Sequence, residues 1–375
     1  MALEGTGLLR FREAYFERIW GGQKLRTLFG KDIPDAPVGE AWLVSDHATC
    51  ESVVAAGALE GQTLRQLLER DAGAILGSRA QLTIHGRFPL LLKLIDANQV
   101  LSVQVHPDDA CAKRLGEPDV GKTEMWHVLQ ADRGSELICG LDPAMTADDY
   151  EEAVRGGAIE GRVMPFEVRA GDSMFVPAGT VHTIGGGIVL AEIQQNSDVV
   201  YRIYDWDRVD DHGQPRELHV DKAREAIHFG QPVAGPAKPL AYDDQGVRRA
   251  VLAACPHFAA ELIEVNEPYR RETRGESFHI ALVKTGALAF SDGQEVVDLR
   301  PGEAVVVPGS LRAFEVAGHG AFLDYYVPDL RRDIVKPLED NGYDAADLAG
   351  FGGSWGRSVP LWNKTVDPDP SQRLD

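Results

Sequence analysis

Twice along this chain a short apolar run is entered through a glycine and an acidic residue and left through a proline. Val168-Arg169-Ala170-Gly171-Asp172 leads through Ser173-Met174-Phe175-Val176 to Pro177-Ala178-Gly179. Leu299-Arg300-Pro301-Gly302-Glu303 leads through Ala304-Val305-Val306-Val307 to Pro308-Gly309-Ser310. In each copy glycine permits the turn that reverses the chain, and proline, with no N–H to give, ends the strand. An internal repeat implies two copies of one unit, and short strands separated by such turns predict barrels. The copies differ beyond the proline. His182 comes after the first, where it would project inside the barrel, and no histidine stands at that place after Pro308. The second barrel is therefore expected to be without metal and to be structural or dimer-forming, with His279 lacking an evident set of partners.

Upstream of the first copy, Leu101-Ser102-Val103-Gln104-Val105-His106 alternates, so a strand here sends Gln104 and His106 to one face and Val103 and Val105 to the other. Pro107 stops the strand, and Asp108-Asp109 with Gly116 and Pro118 predict a loop. A further apolar run begins at Glu124, two residues after Lys122. A lone Gln-x-His pair is more often an ordinary hydrogen-bonded histidine than a ligand pair. Joined by Glu124 and His182, it becomes four donors converging in one cavity, a set suited to zinc or another borderline divalent ion. Beyond Gly185-Gly186-Gly187, the run from Ile188 to Asp198 puts Leu190, Glu192, Gln194 and Asn196 on one face, read as the wall of a wet pocket. Lys122 and Arg202 are the side chains suited to a phosphate or a developing oxyanion. Arg202 has a competing reading as an ion pair with Asp198 or Asp205. Lys93, alone among the apolar residues of Phe88 to Ile95, either pairs with a buried carboxylate or faces a substrate pocket.

The remainder reads as support. Thr63 and Thr146 are expected to cap helices, Trp20-Gly21-Gly22 to form a turn after a strand, and the Pro/Gly-rich stretch from Phe229 to Pro239 to be a linker. The segment from about Asp333, with Phe351, Trp355 and Trp362, is expected to wrap the body or be partly disordered. Four scattered cysteines without C-x-x-C pairing fit neither a disulfide framework nor a thiolate zinc site, which favours a reduced, cytoplasmic setting. A net charge of -20 argues against nucleic-acid or anionic-membrane surfaces. No signal peptide or membrane span is expected.

These residues resemble the type I mannose-6-phosphate isomerases of the cupin superfamily, in the shorter bacterial form. The resemblance covers about 9 to 328 and rests on FPLLLKLIDANQVLSVQVHPDD, GKTEMWHVL, VPAGTVHTI, EIQQNSDVVYRIYDWDR and PRELH. It implies a mainly β fold of two cupin-type (jelly-roll) β-barrels with a few helices, the second lacking a metal site. The expected division is 1–229 as a catalytic metal-binding domain with helical insertions, 240–330 as a degenerate cupin domain and 331–375 as an extension. It implies one Zn2+ per chain, another divalent metal being possible, held by Gln104, His106, Glu124 and His182. Lys122, Glu192 and Arg202 then stand in the active cavity as catalytic residues, with Lys93, Lys122 and Arg202 binding a sugar phosphate. Longer family members carry a tyrosine two positions after the histidine ligand, where this chain has Ile184. The implied reaction interconverts an aldose and a ketose phosphate through an enediolate, in a monomer or homodimer. Glu192 is the expected base, with a pKa raised by a partly dry pocket. A non-haem iron oxygenase, sharing two histidines and a carboxylate, and a non-catalytic sugar-binding cupin are the rival readings.

Overall fold

The structure is a computed structural model that describes residues 7–209, 213–231 and 235–349. It is mainly β, and every strand pairing in it is antiparallel. A six-stranded sheet runs in the order Ala14–Gly22, Val38–Val44, Leu90–Ala97, Ile188–Gln195, Glu124–Ala131, Ser173–Val176. A five-stranded sheet runs Tyr201–Tyr204, Val103–Val105, His182–Ile184, Glu136–Leu141, Val163–Glu167. Leu137, Cys139 and Ile184 of the second sheet pack against Trp126, Val128, Met174 and Leu190 of the first. The outer face of the five-stranded sheet, with Val103 and Val105, is covered by Tyr150 and Ala153 of one helix and Ala223 and Ala226 of another.

The third large sheet, of eight strands, lies between Leu240 and Tyr326. Its Leu252, Ile280, Leu323 and Tyr325, with Phe278 just before one of its strands, form one core with Leu43, Leu90, Leu92, Leu94 and Ile193 of the six-stranded sheet. Burying both faces explains why Leu90–Ala97 and Ile188–Gln195 are buried at every residue. Leu9 exchanges two backbone hydrogen bonds with Val306, so the first described residues lie against the C-terminal sheet.

The repeat is equivalent in its hydrogen bonds as well as its letters. Asp172 accepts from Arg169 N at 2.9 Å, and Glu303 accepts from Arg300 N at 2.8 Å. Gly171 N donates to Val128 O and Gly302 N to Val283 O, both at 2.8 Å. Both glycines have positive φ, 98° and 83°, which a side chain would strain. The acidic residue after each glycine is thus a staple across the turn.

Two local expectations need correction, and a third is met as far as it is described. Gly21 and Gly22 lie inside the Ala14–Gly22 strand and form no turn. A Cβ on Gly21 would stand 2.5 Å from Gly39 N, so this glycine serves a close approach between strands. Asp108-Asp109 begins a helix, Asp109–Leu115, which Asp108 caps by accepting from Cys111 N at 2.7 Å. The C-terminal segment, as far as it is described, folds as Leu330–Val335, Lys336–Asp340 and Ala345–Ala349, and Ile334, Val335 and Leu338 pack on Leu240 and Tyr242. Phe351, Trp355 and Trp362 lie outside the described residues.

Candidate metal centre and active cavity

Three strands, Val103–Val105 with His106 at its end, Glu124–Ala131 and His182–Ile184, bring the ligand-type residues together between the two N-terminal sheets. Gln104 lies opposite His182 in one pairing and opposite Arg202 in the other. Glu124 lies opposite Gln194 and Val176, and Glu192 opposite Lys93 and Trp126. The alternation at Gln104 and His106 therefore has a visible effect. Gln104 Nε2 stands 3.4 Å and His106 Nε2 3.1 Å from the same atom, His182 Nε2.

The histidines are oriented from behind. His106 Nδ1 donates to Val199 O at 2.7 Å and His182 Nδ1 to Thr180 O at 2.8 Å, which assigns the tautomers and leaves both Nε2 atoms as acceptors. Burial and the Lys122 ammonium depress both rings, His182 to about 3 and His106 well below its ordinary value. Glu124 Oε1 lies 3.3 Å from His182 Nε2 and Oε2 lies 3.6 Å from His106 Nε2. Burial pushes the Glu124 carboxyl up to about 7, the Lys122 charge lowering it and the Glu192 charge raising it. Among the described residues, Glu124 Oε1 has no hydrogen-bond donor.

Three acceptors thus converge in a site with almost no water access, an arrangement that a cation stabilises directly. His106, Glu124 and His182 offer ligand atoms all within 4.8 Å of one another. Imidazole nitrogens and carboxylate oxygen are donors that zinc and its neighbours accept, so the residues fit a divalent metal. Gln104 reaches this group through its amide, with Nε2 at 3.4 Å from His182 Nε2.

Lys122 and Lys93 flank this group from two sides. Lys122 Nζ contacts Glu124 Oε2, lies 3.1 Å from His106 Nε2 and 3.9 Å from Glu192 Oε1. Lys93 Nζ lies 3.4 Å from Glu192 Oε2 and 3.9 Å from Glu40 Oε2, and 5.0 Å from the Trp42 ring centroid. Of the two readings of Lys93, pairing with buried carboxylates is the one the geometry displays. Trp126 Nε1 donates to Glu192 Oε1 at 3.1 Å. Burial raises the Glu192 carboxyl, but Lys122 and Lys93 outweigh it and hold the group below the usual carboxylate range. The expectation of a raised pKa is thus corrected, because two ammonium groups within 4 Å override desolvation.

Arg202 stands apart from this group. Its Nη1 donates to Glu217 O at 2.8 Å and its backbone N to His219 Nδ1 at 3.2 Å, while His219 N returns a bond to Arg202 O at 2.7 Å. The expected competitor, an ion pair with Asp198 or Asp205, is not found among the described residues. Asp205 is instead held by Arg208 and Arg216. The Pro215 to His219 stretch therefore supports the Arg202 strand from outside. His279, expected to lack partners, bonds Asp324 Oδ1 through Nδ1 at 2.9 Å.

Sequence reasoning did not single out Trp42, Glu40 or Trp126. Glu40 and Trp42 are two apart on one strand, as Glu124 and Trp126 are on another, and Trp42 Nε1 donates to Glu40 Oε2 at 2.7 Å. The available signal was this repeated Glu-x-Trp on strand-like runs, which places both side chains on one face.

Residues 8–125 match the family model described as phosphomannose isomerase type I, catalytic domain. A mannose-6-phosphate isomerase of Streptococcus mutans serotype c is 35% identical over 302 residues, spanning 80% of this chain and 92% of the relative. A probable mannose-6-phosphate isomerase of Bacillus subtilis, GmuF, is 45% identical over 219 residues, 58% of this chain and 67% of the relative. The crystal structure of the mannose 6-phosphate isomerase from Bacillus subtilis superposes with a TM-score of 0.78 at 31% identity, covering 85% of this chain and 99% of that one.

Proposed function

The chain belongs to the type I phosphomannose isomerases, and from that premise we propose that it interconverts mannose 6-phosphate and fructose 6-phosphate by proton transfer through an enediolate. The observation that carries the reading is the convergence of His106, Glu124 and His182 beside Lys122 and Glu192.

We assign the metal to His106, Glu124, His182 and Gln104, with zinc, one per chain, as the ion that this donor set suits best. Bound there, a divalent cation supplies Lewis acidity toward substrate oxygens. The protein's own groups do the rest. Ring opening exposes the C1 carbonyl; a base removes the proton from C2 and returns it to C1, while the O2 hydroxyl proton passes to O1, so that the C2 carbonyl forms as the C1 carbonyl is lost. Glu192, kept ionised by Lys93 and Lys122, is the assigned base. Lys122, at the centre of Glu124, His106 and Glu192, is the assigned donor to the oxyanion that develops at the carbonyl oxygen. Arg202, its Nε buried without a partner among the described residues, is the assigned phosphate ligand. Lys93, paired with two carboxylates, reaches substrate only as part of the Glu192 wall.

The assigned division of the chain is 1–229 as the catalytic unit, 240–330 as the second unit and 331–375 as an extension, of which Ile334, Val335, Leu338 and Leu348 pack on Leu240 and Tyr242 of that second unit. No helix among the described residues is long and apolar enough to cross a membrane. A cytoplasmic setting accords with the four free cysteines, three of them buried.

Purified protein supplied with mannose 6-phosphate is expected to form fructose 6-phosphate without consuming oxygen. Oxygen uptake with no ketose formed would place the site with the iron oxygenases instead.

A further inference from the structure

Lys122 stands at the centre of the active cavity, yet its own backbone lies outside every strand. The pairing of Ile188–Gln195 with Glu124–Ala131 ends at Gln194 opposite Glu124. One step further Gln195 N still donates to Thr123 O at 3.1 Å, but a side chain makes the return bond: Thr123 N donates to Gln195 Oε1 at 2.9 Å. Gln195 O is taken up by Ser197 N at 2.8 Å and Gln194 Nε2 at 3.0 Å as the chain bends at Asn196. The carboxamide of Gln195 thus completes a rung that its backbone carbonyl leaves open.

The other end of that carboxamide is used as well. Nε2 donates to Asp109 Oδ1 at 3.1 Å, and the same oxygen accepts from Gly121 N at 2.8 Å. Lys122 N donates to Pro107 O at 3.0 Å. Three consecutive amides, of Gly121, Lys122 and Thr123, are therefore pinned, the outer two by one clasp of Gln195 and Asp109. Strand side chains two apart share a face, so carrying the register past Glu124 keeps Lys122 on the side of Glu124 and Trp126. There its ammonium contacts Glu124 Oε2 and stands 3.1 Å from His106 Nε2. A lysine side chain is a flexible four-carbon stem, so its aim depends on where its Cα is held.

Gln195 itself faces away from the active cavity. It is buried, one residue out of phase with Glu192 and Gln194, and with Asp109 it lines a separate cavity of about 520 Å³ behind the loop.

We propose, on the reading that Lys122 serves the developing oxyanion, that Gln195 is a positioning residue for the isomerisation, fixing through its clasp with Asp109 the backbone from which Lys122 reaches. Steady-state turnover of mannose 6-phosphate by the full chain tests it, on protein whose zinc content and melting curve show it loaded and folded. Gln195→Leu removes both hydrogen bonds of the carboxamide. It is expected to lower kcat by about 10–100-fold, the cost of misplacing a reacting group by about 1 Å, with KM within about twofold of the parent. Asp109→Ala cuts the same clasp from its exposed side, without disturbing a buried side chain, and is expected to give a kcat loss of the same kind. Exchanging the partners, Gln195→Glu together with Asp109→Asn, keeps acceptors for Thr123 N and Gly121 N and an amide-to-carboxylate bond between them. It is expected to return kcat to within about threefold of the parent. Parental kcat in Gln195→Leu or in Asp109→Ala overturns the proposal, as does a loss that the exchange leaves unrestored, or a change confined to KM. Lys122→Met separates this failure from that of the underlying reading, with an expected kcat loss of about 10²–10³. If that variant turns over like the parent, the role of Lys122 falls and the proposal with it; if it is impaired while Gln195→Leu is not, the proposal alone falls.

Discussion

At the scale of single residues the cavity is governed by how its carboxylates are charged. Glu192 is held ionised between two ammonium groups, so its task depends on position and acceptor oxygens. Glu192→Gln keeps the shape and the Trp126 contact while removing the proposed base. It is expected to lower kcat by about 10²–10⁴ with a smaller change in KM, read in a steady-state isomerase assay. Near-parental kcat would remove Glu192 from the proton transfer. Glu40 gives a pH prediction. Burial opposes its ionisation, but Lys93 and Arg18 outweigh that and bring its pKa from 4.5 to about 2. A group depressed on folding contributes stability above its unfolded value and loses it as pH falls through the folded one. Urea unfolding should therefore show Glu40→Gln less stable than the parent by roughly 3 kcal/mol above pH 5, the gap closing between about pH 4.5 and about pH 2. A gap independent of pH would contradict this. The alternation of Gln104 and His106 was legible because strand period is local. The state of Glu192 was not, since Lys93 and Lys122 meet it only through pairing of distant strands.

At the scale of elements, legibility followed burial and capping. The helix Leu64–Leu76 shows both a Thr63 capping box and Leu64, Leu67, Leu68 and Ile75 on its buried side. Thr63→Ala is expected to lower stability by about 1 kcal/mol in thermal or urea unfolding, with activity unchanged. No loss would show that the box is redundant with packing. The helix Asp109–Leu115 escaped notice because only Cys111 and Ala112 are buried on it, too few to set up a period. Its Asp108 cap was visible, yet Asp favours loops as readily as caps. Gly21 was misread for a related reason. A glycine pair marks a turn or a close backbone approach equally well in sequence, and only the position of Gly39 decides between them.

At the scale of the whole molecule, one repeat organises both halves of the chain. The Gly-acid staple recurs at Asp172 and Glu303 with the same hydrogen bonds, and the strands after it hold corresponding registers. What distinguishes the halves is the side chains at equivalent places: Glu124, Glu192 and Lys93 in one, His279, Asp324 and Glu261 in the other. The repeat was legible from its letters. The buried charge cluster of the second half was not, because Arg249, Arg271, Glu261 and Asp324 are spread over 76 positions of sequence and meet only in the sheet. The shared core of Leu90, Leu92 and Ile193 with Phe278, Ile280 and Leu323 likewise depends on which sheet faces which.

The measurement that tests this account most directly is turnover of mannose 6-phosphate by the full chain before chelation, after complete chelation verified by elemental analysis, and after zinc is restored. The convergence of His106, Glu124 and His182 predicts activity that disappears with the metal and returns with it. Turnover that continues undiminished after complete removal would contradict the role given to those three residues.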